Sequence, residues 1–310
     1  MNGSSPPLPD NIRSVQPGGG KCYALELAWG RLRRWYLKTF RRGYVERMAQ
    51  LRRGDAEGAP HELLDPRDLK YCCNQCTAHW AAADDPFRWR EKLPFARWGL
   101  AELQLMGWPL LALTLVLWWC CGGWRWVAVG PAVALGLVVY FFRDPVRVIP
   151  ADADSIVSPA DGTIAEVTEV EHYDFLEGPA VRIGIFLSIF NVHVNRAPRH
   201  AQVVDMHYQP GEFLNAMNPE SALRNEFMWI GLEEFDAPHR KLAVRAISGL
   251  IARRIVCAVK PGQEVRRGEK FGMIKLGSRT ELILPRDSVT VAVQVGQKVQ
   301  AGSSVLARYI

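Results

Sequence analysis

Near its C-terminus the chain reads Phe271-Gly272-Met273-Ile274-Lys275-Leu276-Gly277-Ser278-Arg279-Thr280-Glu281-Leu282-Ile283-Leu284. Two short apolar runs, Phe271 to Ile274 and Leu282 to Leu284, flank a polar segment, the pattern of a tight connection inside β-structure. A repeat surrounds it. Val259-x-x-Gly262-Gln263-x-Val265-x-x-Gly268 recurs as Val293-x-x-Gly296-Gln297-x-Val299-x-x-Gly302, offset by 34 residues. Each copy reads as a strand, a glycine-containing turn and a second strand. From Ile149 onward, short alternating apolar runs broken by Gly, Pro and Asp extend the pattern. The expected fold class is therefore mainly β, with Gly277-Ser278 between the two copies of the repeat.

A Gly-Ser bond is an ordinary turn in most proteins, and that reading stands beside a chemical one. Glycine has no side chain to block a hydroxyl approaching its carbonyl. The Ser278 hydroxyl can attack the Gly277 carbonyl, and the ester can eliminate to dehydroalanine. Hydrolysis then leaves a pyruvoyl group at a new N-terminus. Such a step needs a base, a donor for the carbonyl oxygen and strain in the peptide. His193, at the end of the apolar strand Ile183 to Val194, is the base candidate, because imidazole titrates near working pH.

Five motifs lie around this bond in order. They are Phe141-Phe142-Arg143-Asp144-Pro145, Ser158-Pro159-Ala160-Asp161-Gly162, Phe186-Leu187-Ser188-Ile189-Phe190-Asn191-Val192-His193-Val194-Asn195-Arg196-Ala197-Pro198, Gly249-Leu250-Ile251-Ala252-Arg253-Arg254-Ile255-Val256 and Phe271 to Arg279. Together they resemble the phosphatidylserine decarboxylase family in its short form, whose cleaved bond lies in Gly-Ser-Arg. The resemblance covers about residues 95 to 310. It implies self-cleavage between 277 and 278, giving a large chain 1–277 paired with a small chain 278–310. It also implies a covalent pyruvoyl cofactor derived from Ser278. Phosphatidylserine would join it as a Schiff base, lose carbon dioxide and leave as phosphatidylethanolamine.

The same resemblance implies that Asp161 orients His193 in a Ser-His-Asp arrangement. Arg196, Asn195, Arg253 and Arg279 are the candidates to hold the substrate phosphate or carboxylate. Three departures stand out. The long form has two histidines where this chain has His193 and Arg196, many relatives carry Asp at Asn191, and Asn225-Glu226-Phe227 lacks the Arg of the family's Asn-Glu-Arg. The repeat itself is similar to the hairpins of biotinyl and lipoyl carrier domains. Their Met-Lys-Met tripeptide is absent here, so the repeat reads as scaffold.

Upstream lies a membrane signal. Leu103 to Cys121 and Trp126 to Phe142 are almost uncharged, and each is near the ~20 residues that cross a bilayer. Residues 96–148 are expected to form a membrane-associated helical hairpin ahead of a decarboxylase domain at 149–310; the alternative is a buried hairpin of a soluble protein. The first run begins too far into the chain for a signal peptide. Arg88, Arg90, Lys92 and Arg97 precede the hairpin, Arg143 and Arg147 follow it, and only Arg125 lies in the turn. Both flanks should then be cytoplasmic, with the catalytic domain on that face of the cell membrane.

Residues 1–95 form an extension of no assigned role, with 1–20 expected to be disordered and 22–53 helical and basic. The net charge of +6 is concentrated between Arg31 and Arg53, which suits either an anionic membrane surface or a solvated helix face. No aromatic-basic motif points to nucleic acid. Cys73-x-x-Cys76 with His79 offers three zinc ligands, and Cys72 or Cys22 would have to complete the set. Free thiols and no metal are the default. Two rival functions stay open on the sequence: a pyruvoyl decarboxylase of a soluble amino acid, and a non-catalytic biotinyl-like binding module.

Overall fold

The computed structural model describes residues 20–51, 62–68, 84–216, 218, 220–250, 254–275 and 277–310. Cys72, Cys73, Cys76, His79 and Arg253 lie outside the described residues. Two helices come first, α1 (Gly20–Phe40) and α2 (Arg42–Leu51). Both rest on the segment 62–68. Buried Asp68 takes Arg33 Nη2 at 2.6 Å and Arg34 Nη1 at 3.2 Å, Asp65 also pairs with Arg33, and the Tyr44 hydroxyl donates to the Leu64 carbonyl at 2.9 Å. Arg33 and Arg34 are thus buried ion-pair partners, which corrects the expectation that the basic run faces outward as a whole.

The next helices, α3 (Leu100–Cys120) and α4 (Val129–Phe141), are joined by a 3-10 turn at Gly122–Ala128. Two segments, Arg97–Cys120 and Gly122–Phe141, are long and apolar enough to cross a membrane. Only 11% of each apolar window is buried, so the pair is not hidden in a soluble core. Trp118, Trp119, Trp124 and Trp126 are exposed about its turn. The feet of the hairpin are pinned together. Ala96 N donates to the Phe142 carbonyl at 2.7 Å, and Asp144 N donates to the Pro94 carbonyl at 2.8 Å.

From Ser155 onward the chain is β-rich, as the alternating pattern predicts. The strands are β1 (Ser155–Val157), β2 (Gly162–Tyr173), β3 (Gly178–Leu187), β4 (Val194–Arg196), β5 (Ala201–Gln209), β6 (Phe227–Glu234) and β7 (Lys241–Ser248). There follow β8 (Ile255–Cys257), β9 (Glu264–Val265), β10 (Lys270–Ile274), β11 (Ser278–Pro285), β12 (Val289–Val291), β13 (Lys298–Val299) and β14 (Val305–Tyr309). Eight of them form one antiparallel sheet in the order β13-β2-β3-β11-β7-β6-β5-β9. Two three-stranded sheets, β1-β14-β12 and β4-β10-β8, complete the β-structure.

Side chains alternate along β11, so its two faces meet different surroundings. Leu282 and Leu284 join the main core with Ile183, Ile185, Val244 and Met228. Ile283 faces the other way, with Trp229, Ala243 and Ala180. The sequence repeat builds two matching edges. In one copy Gly262 N donates to the Val203 carbonyl at 2.7 Å and Val203 N to the Gln263 carbonyl at 2.9 Å. In the other, Gly296 N donates to the Ile164 carbonyl at 2.8 Å and Ile164 N to the Gln297 carbonyl at 2.9 Å. Short edge strands of this kind, β9 on β5 and β13 on β2, leave little for another sheet to pair with.

The central position of β11 sets a prediction. Leu282→Ala removes a fully buried side chain from the main core and is expected to destabilise the protein by about 2–5 kcal/mol. Chemical denaturation in detergent measures it, and a loss below about 1 kcal/mol would contradict this packing.

Candidate active site

The link between β10 and β11 runs from Lys275 to Gly277. Gly277 adopts φ +72°, a left-handed conformation that costs a residue bearing a Cβ about 1–2 kcal/mol. Gly249, just after β7, is needed for a second reason: a Cβ there would lie 2.6 Å from the Gly277 carbonyl oxygen. Glycine on both sides lets the backbone close up around that carbonyl. Ser278 then enters the sheet between Leu187 of β3 and Ser248 of β7. Its side chain is fully buried, and among the described residues its Oγ has no hydrogen-bond partner. A buried hydroxyl left this way costs about 1–3 kcal/mol. Folding alone gives no reason for it.

His193 reaches the same turn. Its Nε2 accepts the Gly277 N–H at 3.1 Å, while its Nδ1 lies 2.9 Å from the Asn191 carbonyl. A carbonyl only accepts, so Nδ1 carries the proton and Nε2 the lone pair. The ring is fully buried against Phe141, at 4.7 Å between centroids, where the hairpin foot packs on β4, β8 and β10. Burial pulls its pKa down to about 4; the hydrogen bond to Asn191 opposes the shift and the charge of Arg143 adds to it. The imidazole is therefore a neutral base at neutral pH. Asn191 in turn accepts from Ser188 N at 2.9 Å and Ser188 Oγ at 2.8 Å, which fixes the bend that presents the ring.

The other expected residues divide. Asp161 does not meet His193. Its two oxygens take Arg147 Nη2 at 2.9 and 2.8 Å, and Oδ1 also accepts from Ala301 N at 2.8 Å. The orienting group behind His193 is thus the Asn191 carbonyl, which corrects the expected Ser-His-Asp arrangement; the guanidinium of Arg147 has neutralised the carboxylate elsewhere. Arg196 is held by Asp144 at 2.9 Å and by the Gly268 carbonyl at 3.1 Å. With Arg147 and Lys270 it lines a cavity of about 970 Å³, to which neither Ser278 nor His193 contributes. Asn195 donates to Thr280 Oγ1 at 3.3 Å, two residues from Ser278. Arg279 points to the opposite face of β11, where its Nε donates to Glu281 at 3.0 Å and its Nη2 forms an ion pair with Glu166 at 2.6 Å. Its guanidinium therefore lies on the face away from Ser278.

Glu226, doubtful by sequence, sits close by. Ser248 N and Oγ donate to its carbonyl at 2.9 and 3.0 Å, so Leu187, Ser278, Ser248 and Glu226 form one row across four neighbouring chain segments. Burial raises the pKa of its carboxyl; Tyr208 donates to Oε2 at 3.3 Å, and Oε1 has no partner among the described residues. Sequence reasoning missed Ser248, the Asn191 carbonyl and the role of Gly249. A backbone carbonyl leaves no signature in residue type, whereas Gly249 was visible as the opening of its motif.

A sequence model of the family described as phosphatidylserine decarboxylase matches residues 135–307. A phosphatidylserine decarboxylase proenzyme of Rhodopirellula baltica is 49% identical over 244 residues, 78% of this chain and 99% of the relative. Those of Carboxydothermus hydrogenoformans and Nitrosomonas eutropha are 45% and 43% identical, over 60% and 66% of this chain and 94% and 93% of their own lengths. The chain belongs to the phosphatidylserine decarboxylase family. Family membership makes it a carboxy-lyase by class and accounts for the order of the five motifs.

The buried imidazole gives the site a pH signature. The unfolded chain protonates His193 near its ordinary pKa of 6.5, while the folded chain resists until about pH 4. Stability is therefore present above pH 6.5 and lost as pH falls toward 4, by about 3 kcal/mol. Comparing unfolding of the Ser278→Ala chain with Ser278→Ala/His193→Gln isolates this contribution. Equal pH dependence in the two would mean that His193 is not buried neutral.

Proposed function

We propose that this protein is a self-processing phosphatidylserine decarboxylase that converts phosphatidylserine to phosphatidylethanolamine and carbon dioxide. One observation carries the reading: a buried Ser278 hydroxyl, unpartnered among the described residues, follows a left-handed Gly277 whose amide meets the lone pair of His193. The matched relatives are named proenzymes, which agrees with a chain that is processed.

In this reading the His193 Nε2 lone pair releases the Gly277 amide and takes the Ser278 hydroxyl proton as Oγ bonds to the Gly277 carbonyl carbon. The C–N bond breaks, and the proton passes to the freed Ser278 amine. Loss of the Ser278 Cα proton then expels the Gly277 carboxylate and leaves dehydroalanine, and water releases ammonia to give the pyruvoyl end. A Ser278 hydroxyl with no partner among the described residues, and the close approach of Gly249 to the Gly277 carbonyl, suit this conversion. The pyruvoyl group supplies an electrophilic carbonyl and an electron sink for loss of carbon dioxide, as pyridoxal phosphate does in other enzymes. The pairing of Ser278 with Leu187 of β3 and Ser248 of β7 holds the new end in place. After cleavage the 278–310 chain stays bound, because β11 lies between β3 and β7, β13 pairs with β2, and β14 pairs with β1.

The substrate is a membrane lipid, and α3 and α4 suit an anchor. Both flanks of the hairpin leave on one side, and their excess of Lys and Arg favours the cytoplasmic face of the cell membrane. Ser278→Ala is expected to remain one chain and to release no carbon dioxide from phosphatidylserine in mixed micelles. His193→Ala is expected to slow cleavage by about a hundredfold or more. Decarboxylation by the Ser278→Ala chain would overturn the mechanism, and normal processing of His193→Ala would remove the imidazole from it.

A further inference from the structure

Glu26 belongs to α1, in the N-terminal extension and outside the residues matched by the family model, yet it is only 3% exposed. Its Oε2 accepts from Arg254 Nη2 at 3.0 Å, and its Oε1 accepts from Arg254 Nε at 3.2 Å and from Lys275 Nζ. Lys275 Nζ also donates to Glu102, at the foot of α3. Arg254, Lys275 and Glu102 are all buried as well. Two cations and two carboxylates thus neutralise one another out of water, a condition that buried charge demands. Burial pushes the Lys275 ammonium toward neutrality, but the charges of Glu26 and Glu102 outweigh it and hold the pKa above the ordinary value.

This cluster sits on the backbone that carries the cleavage turn. Lys275 N donates to the Arg254 carbonyl at 3.0 Å, and Ile274 N donates to the His193 carbonyl at 3.2 Å. Two residues further on, Gly277 meets His193 Nε2. Without the Glu26 charge, Arg254 and Lys275 would face Glu102 as the one remaining carboxylate of the cluster among the described residues. Lys275 would have to shift, and the turn with it.

We propose that Glu26 is a positioning residue for self-cleavage, so that the N-terminal extension forms part of the maturation site. The proposal rests on the reading of Gly277-Ser278 as the processed bond. Its test makes the full chain by cell-free synthesis in detergent and follows the appearance of the two fragments, from the end of synthesis, by mass and denaturing gel. Cleavage is timed at a temperature where the uncleavable Glu26→Gln/Ser278→Ala chain is fully folded by its melting curve. Glu26→Gln is expected to slow cleavage about ten- to a hundredfold, the scale of a small misplacement of reacting groups. Glu26→Asp keeps the charge one methylene short and is expected to fall between Glu26→Gln and the wild type. Cleavage of Glu26→Gln at the wild-type rate overturns the proposal. If Glu26→Gln does not fold, Glu26→Asp decides: a slowed rate upholds the positioning role and a wild-type rate refutes it. A wild-type chain that itself stays uncut refutes the reading of the bond, a result separate from either of these.

Discussion

Burial of the His193 imidazole is the constraint on which the site depends. Buried beside Phe141, the ring stays neutral and gives its Nδ1 proton to the Asn191 carbonyl. That leaves one lone pair, and the turn at Gly277 is built against it. A protonated ring could not accept the Gly277 amide. A ring on an exposed loop would titrate near neutrality and carry the wrong proton for part of the time. The hairpin foot thus shields the ring, because Phe141 packs against it and Phe142 packs on Phe141.

The Gly277-Ser278 bond lies at the start of a central strand. A strand paired on both sides fixes Ser278 within the register of β3 and β7, so its hydroxyl has no freedom to seek water. Gly277 and Gly249 supply the only slack, at the carbonyl that must be approached. The geometry is rigid where the nucleophile sits and permissive where the bond must change shape. The two edge turns of the repeat lie at the far ends of the same sheet and close it without entering the site.

Much of this was legible in the sequence because it is written in residue type. The period-two runs after Ile149 and the two uncharged stretches each have one local cause, and they became the β-rich region and the two apolar helices. Of the candidate site, the sequence singled out Ser278, Gly277 and His193 by residue type, and the structure brings these three to one turn. It was less legible where partners are chosen by three-dimensional proximity. Asp161 turned to Arg147, which sits 14 residues earlier in the chain and is brought back by the exit from the hairpin. Arg279 was lost to the other face by strand alternation, once β11 began at Ser278. Glu26 gave no sign at all, since nothing near it in sequence marks it as a partner of residues more than two hundred positions away.

The central claim is that the fold holds Gly277-Ser278 for conversion and that the purified protein has already undergone it. The intact mass under denaturing conditions tests this most directly. The account predicts two species, residues 1–277 and residues 278–310, the smaller carrying a pyruvoyl group in place of its N-terminal serine. A single unmodified chain of 310 residues would contradict it.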